Sequence, residues 1–201
     1  YALNVIMNDR KEIVHALAGD PLSVMRQGIP LARAIYQAPV SQPFDLMIIS
    51  PGGHPKDINI YQAQKALGHA TLAMRPGGAV IWAAACPEGA GSRAYEEFMA
   101  DPAMNSYEAV LARYQREGYR LGPHKAWQIA RDASRVRLRF VSDMAPDFAR
   151  HLLLNPVADR PGQSPQEQLT QAVAQALAEL PVGGRIGVMP WANATIPFLV
   201  K

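Results

Sequence analysis

The sequence predicts an α/β fold: a three-layer, mostly parallel sheet flanked by helices, with an N-terminal β-hairpin. Three observations predict it. Two apolar runs, Phe44–Ile49 and Gly77–Ala84, are continuous rather than alternating, as strands buried on both faces are. Each passes through a glycine-containing loop into a segment of helix formers, the order that a right-handed strand-helix-strand crossover requires. Ahead of them, two short apolar stretches are split by a polar turn, the signature of a hairpin.

Taken in order, Tyr1–Met7 and Ile13–Ala18 are the hairpin strands around the turn Asn8-Asp9-Arg10-Lys11. Asp20 caps a helix with Pro21 at its first position, running to Gln37 and bent or interrupted near Gly28-Ile29-Pro30, because proline removes a donor and crowds the preceding turn. Phe44–Ile49 leads through Ser50-Pro51-Gly52-Gly53 into a helix with apolar positions at Ile60, Ala63 and Leu67, capped by Asn59 or Asp57. Gly77–Ala84 ends in Cys86-Pro87-Glu88-Gly89-Ala90-Gly91, a second loop at a strand's carboxyl end. Helical patterns follow at 92–100, at 107–117 and, after Gly122-Pro123, through about Asp132. Residues 136–141 alternate as a strand with one wet face would, and 145–154 form a short helix or turn. A polar break at 161–165 carries serine cap, proline and third-position glutamate in Ser164-Pro165-Gln166-Glu167, so a helix starts there and runs to Leu180. Arg185–Met189 is the last strand, and 190–195 a tail loop.

Function is sought where strands end, because ligands of open α/β sheets bind beyond the strands' carboxyl ends. With Asn59 as cap, Tyr61, Gln62 and Lys65 fall in the first two helical turns, Gln62 and Lys65 on one face. A cation near a helix N-terminus is disfavoured by up to ~1 kcal/mol. A small carboxylate over the loop, bound by helix end, Gln62 and Lys65, removes that conflict. Ordinary structure accounts for the same residues: a capping box for Gln62, solvation for Lys65, packing for Tyr61, turn geometry for Gly52 and Gly53. Glu88 reads as a candidate contact or a hydrogen-bonded loop carboxylate, Cys86 as packing, and His124 as a capping or interface residue that by type could act as a base. The spacing matches neither the dinucleotide fingerprint nor the P-loop.

The string Gly52-Gly53-x-Pro55-x-Asp57-x-Asn59-x-Tyr61-Gln62-Ala63-x-Lys65-Ala66, followed by Gly77-Gly78 and Cys86-Pro87-Glu88-Gly89-x-Gly91, resembles the C-terminal domain of the lactate racemase family. Gly122-Pro123-His124-Lys125-Ala126 resembles it too, without a transferable role. The likeness runs from Asn4 to about Pro197. It implies a single α/β domain over 1–201, the C-terminal part of a two-domain racemase or epimerase that inverts a 2-hydroxy acid. The family does so by hydride transfer to a nickel-pincer nucleotide. It also implies that Gln62 and Lys65 contact the substrate with Tyr61 beside them; Gly52, Gly53, Asp57 and Glu88, in the loops at the strand ends, are the candidate cleft-loop residues. No catalytic residue and no metal ligand is expected here: His15, His54, His69, His124 and His151 are dispersed, and the nickel and acid/base groups are expected upstream in a missing N-terminal domain. The chain by itself is then expected to bind no pincer cofactor and to be inactive. Opening on Tyr1 rather than methionine, it reads as a fragment.

Composition narrows the classes further. The formal charge of +3, scattered rather than striped, argues against nucleic acid. One cysteine excludes a disulfide framework and fits a reducing cytoplasm, and no apolar run reaches the ~18 residues of a membrane span. The competing class is a non-catalytic ligand-binding or docking domain on the same scaffold. Upstream histidines and a cofactor-attaching lysine in the full gene separate the two.

Overall fold

The computed structural model describes residues 1–8, 10–159 and 162–200. Asp9 of the hairpin turn and Pro161 of the polar break therefore lie outside the described residues. The chain divides into two compact units, Tyr1–Pro39 and Val40–Lys201.

In the first unit, β1 (Ala2–Met7) pairs antiparallel with β2 (Ile13–Gly19), the expected hairpin, with a register shift between Ile6 and Met7. Asn8 shapes the turn by accepting the Arg10 and Glu12 amides at Oδ1. Helix α1 (Pro21–Tyr36) starts as read from sequence, with the Asp20 carboxylate accepting the Ser23 amide at 2.9 Å and Pro21 in the first turn. It is not interrupted at Pro30, which sits inside one continuous helix. Alternation along β1 leaves Leu3, Val5 and Met7 exposed while Ile6 is buried, as is Val24 of α1.

Strand β3 (Gln37–Val40) straddles the boundary of the two units, and in the second the Val40 carbonyl accepts the Val200 amide. The second unit is then built on β4 (Phe44–Ile49), α2 (Ile60–Ala70), β5 (Met74–Ala83), α3 (Arg93–Met99), α4 (Tyr107–Glu117), α5 (Pro123–Ala133), β6 (Arg137–Val141), α6 (Pro146–His151), α7 (Pro165–Ala178), β7 (Ile186–Met189) and β8 (Ile196–Leu199). Helix α7 carries the anticipated reciprocal cap, the Ser164 hydroxyl accepting the Glu167 amide and the Glu167 carboxylate accepting the Ser164 amide. Arg185–Met189 was expected to be the last strand, but β8 follows it. Four residues including Pro197 are too few for a period of two to register.

The sheet order is β6-β5-β4-β7, and every pairing in it is parallel. Successive side chains go to opposite faces, and the core divides accordingly. Met47, Ile49, Val80, Trp82, Leu138 and Phe140 face the layer containing α2 and α5 and join Ile60, Ala63, Leu67, Ala126 and Ile129 in one cluster. Leu46, Ala79, Ile81 and Val141 face the other way, onto Ala172 and Ala176 of α7. Alternation on an all-buried strand is thus read out as two apolar layers, which is why the runs are continuous in sequence. Strand β4 has β5 on one side and β7 on the other, so the order of the sheet turns at β4. The crevice beyond its carboxyl end is where such sheets accept ligands.

Candidate functional site

Three loops leave the sheet at that edge, after β4, β5 and β7. Gly52 and Gly53 carry positive φ values of 106° and 74°, the backbone that the strand exit needs and that side-chain-bearing residues avoid. Gly52 has a second reason to lack a side chain. A Cβ there would stand 2.8 Å from Cδ1 of Trp191, which comes from the loop after β7.

Helix α2 is capped by Asn59 rather than Asp57, its Oδ1 accepting the Gln62 amide at 3.1 Å. The rest of its first turn is also satisfied. The Ile60 and Tyr61 amides donate to the carbonyls of Gly89 and Ala90, and the Ala63 amide to Asn59. This corrects one part of the sequence reading: the helix end offers no unpaired amide to an anion, because the loop after β5 occupies them. What remains for a ligand is side chains. Gly91 shows how tightly that loop is laid on the cap, since a Cβ there would come 2.2 Å from Asn59 Cγ.

Gln62 does not answer Asn59 in a capping box. Its Oε1 accepts the Lys65 ammonium at 2.7 Å, so its NH2 end is the one that offers donors. Tyr61 and Gln62 are half-buried and Lys65 is exposed. Asp57 is tied down, its carbonyl taking the Cys86 amide at 2.9 Å and its Oδ2 the Ala85 amide at 3.4 Å. Glu88 is exposed and accepts from Asn59 Nδ2 at 3.4 Å, a structural bond to the cap. Cys86 is buried, and burial with Asp57 nearby pushes its thiol up to about 12, so it packs and does not react.

His124, read from sequence as a capping or interface residue or a base by type, stands in the first turn of α5, which packs against Tyr61. His124 meets the Tyr61 ring edge-on at 5.7 Å between centroids, and the Lys125 ammonium lies 4.7 Å from the centre of the same ring. Lys125 is only 7% exposed and donates to Gln128 Oε1 at 3.0 Å. Burial, with Lys65 beside it, holds its ammonium below the ordinary lysine range. His124 Nδ1 accepts the Gly122 amide at 3.1 Å, which places the neutral ring's proton on Nε2. Burial and the Lys125 charge hold this imidazole below its usual value as well. Asn193 was also passed over. Its Nδ2 donates to the carbonyls of Lys56 at 3.4 Å and Gln62 at 3.3 Å, joining the loop after β7 to α2, while its Oδ1 is buried without a protein partner. The available signal was position, in a loop just beyond a strand.

The rim therefore gathers Gln62, Lys65, Tyr61, His124 and Lys125: two ammonium groups, an amide and two ring edges, a set suited to an oxyanion. None of the ion pairs among the described residues uses Lys65 or Lys125. Such a donor set does not fit a metal, because ammonium has no lone pair to give, and no three His, Cys, Asp or Glu side chains gather among the described residues.

Comparison with known proteins decides the lineage. The profile of the lactate racemase C-terminal domain matches residues 39–159, more than half of the chain. The chain belongs to that family. Lactate racemase of Thermoanaerobacterium thermosaccharolyticum is 34% identical over 95 residues, 47% of this chain and 22% of that protein. Lactate racemase of Lactiplantibacillus plantarum is 30% identical over 101 residues, 50% of this chain and 24% of that protein. In three dimensions the lactate racemase apoprotein from T. thermosaccharolyticum superposes with a TM-score of 0.81 at 24% identity, covering 97% of this chain and 45% of that one. A Thermotoga maritima protein superposes at 0.65 and 10% identity, over 98% and 48% of the two chains. Both likenesses carry the α/β fold with its leading hairpin. The chain thus spans less than half the length of the relatives it matches. No helix among its described residues is long and apolar enough to cross a membrane.

Proposed function

We propose that this domain is the substrate side of a 2-hydroxy-acid racemase or epimerase, holding the acid's carboxylate at the rim of β4 while the other half of the full-length protein supplies the reacting groups. One observation carries the reading. The Lys65 ammonium and the Gln62 amide are locked together at 2.7 Å beyond the carboxyl end of β4, with no carboxylate among the described residues paired to the cation. A substrate carboxylate supplies the missing charge, bonded by Lys65 and by the NH2 end of Gln62, and charge-assisted bonds of this kind contribute about 1.5–3 kcal/mol each. Tyr61 walls the position on one side.

Racemisation requires that the α carbon be released from one face and closed from the other while the acid stays bound. A grip on the carboxylate alone leaves both faces of that carbon open, which is the division of labour expected of this rim. Resemblance to the family implies a nickel-pincer nucleotide, which would supply hydride chemistry when bound. The ammonium, amide and ring groups at this rim do not suit that metal, and in this proposal the cofactor and the acid/base histidines come from the other half of the full-length protein. The compartment consistent with a lone, unreactive cysteine is the cytoplasm.

The decisive experiment is Lys65→Ala in the full-length protein. Loss of the cationic grip is expected to lower kcat/KM for its 2-hydroxy acid roughly 10²-fold, with the melting curve unchanged because the side chain is exposed. Activity within threefold of wild type would sink the assignment.

A further inference from the structure

Lys125 is the group the carboxylate grip does not use. The Lys125 residue is 7% exposed, and the partners of its ammonium are neutral: an amide oxygen at 3.0 Å and the face of Tyr61 at 4.7 Å. The charge that acts on it is that of another cation, Lys65. Proteins seldom bury a charge without an opposite one, because the uncompensated desolvation is costly. Lys125 also occupies the first turn of α5, the positive end of that helix, where acidic residues are favoured. The contrast within the unit is informative. Helices α3, α4, α6 and α7 each place a glutamate or aspartate in the first turn, whereas α2 and α5, whose first turns touch through Tyr61 and His124, place none.

One bound carboxylate balances one lysine. We infer that Lys125 is a second cationic contact for the ligand, and that the substrate class is a 2-hydroxy acid bearing a second anionic group, with the α-carboxylate on Lys65 and Gln62 and the distal anion on Lys125. His124 Nε2–H stands in the same turn as a further neutral donor. The inference rests on the proposed substrate-side role and narrows it from hydroxy acids in general to dianionic ones.

The test uses the full-length protein and two probes, lactate and 2-hydroxysuccinate, with binding measured by titration calorimetry at constant ionic strength. The diacid is expected to bind at least about tenfold more tightly. Lys125→Met is expected to remove that advantage, weakening diacid binding by a clearly larger factor than lactate binding, and Lys125→Arg to retain most of it. Equal affinity of the wild type for the two acids, or an equal loss of both in Lys125→Met, overturns the inference; the wild-type ratio decides even if Lys125→Met does not fold. The readout needs no turnover. Diacid preference without racemisation of either acid would remove the racemase reading and leave the two-cation site, whereas racemisation of lactate with no diacid preference would remove the second contact alone.

Discussion

His124 packs against the rings of Tyr61 and Tyr119, and partial burial together with the charge of Lys125, its neighbour in the chain, disfavours a second proton on the imidazole by more than the Arg120 carbonyl favours it. Protonation would also place a hydrogen on Nδ1, where the Gly122 amide already donates. Its folded value is therefore depressed, and the sign of the linkage follows. The unfolded chain binds the proton more readily, so His124 contributes stability that is full above the unfolded imidazole range of about 6.5 and is lost as pH falls through the lower folded value. A histidine NMR titration is expected to find it below the ordinary range, and to find it rising when 2-hydroxysuccinate is added, since an anion beside Lys125 relieves the repulsion. A titration unmoved by the acid would separate His124 from the ligand. This pairing was not legible in the sequence. Tyr61 and Lys125 lie on different helices, and only the packing of α2 on α5 brings them together. Gln62 and Lys65, by contrast, were legible because i and i+3 spacing on one helix fixes their contact locally.

Element by element, the same distinction holds between what the chain encodes nearby and what it encodes at a distance. The start of α2 was readable because a cap is a local device, and so was α7 with its reciprocal Ser164–Glu167 bonds. Strands β3 and β8 were not, since each has four residues, contains a proline and lacks an apolar period. The occupation of α2's first amides by Gly89 and Ala90 was likewise invisible, because it depends on two strands being neighbours. That occupation makes Gly91 a sensitive position. Alanine there meets Asn59 at 2.2 Å and is forced to φ near 74°, so Gly91→Ala is expected to cost about 1 kcal/mol for the lost cap and about as much again for the left-handed backbone. Gly53→Ala shares only the second cost, its Cβ position being open. Urea denaturation of the two variants checks the difference. Equal losses would mean that the loop after β5 does not brace the cap.

At the scale of the molecule, the rim gathers cations, and the proposal leaves the groups that finish a reaction to the rest of the full-length protein. The sheet turns at β4, so the loops after β4, β5 and β7 converge on one edge, where the proposed acid grip of α2 and α5 stands without a metal-binding trio among the described residues. A site of this kind is expected to bind anions by itself and to convert nothing. Residues 1–201 expressed alone should therefore retain no nickel after desalting and show no racemisation of lactate or 2-hydroxysuccinate, while the full-length protein loaded with cofactor does both. Binding should persist at reduced strength in the shorter chain, because Lys65, Gln62 and Lys125 are all present but one wall of the cleft is not. Removing a wall weakens binding by exposing the ion pairs to water, where each contributes only a few tenths to about 1 kcal/mol rather than the larger value of a closed site. Nickel assay, a coupled stereospecific assay and calorimetry on both lengths measure the three quantities together. Turnover by the shorter chain would place the reacting groups within these residues and reverse the division of labour proposed for the two halves.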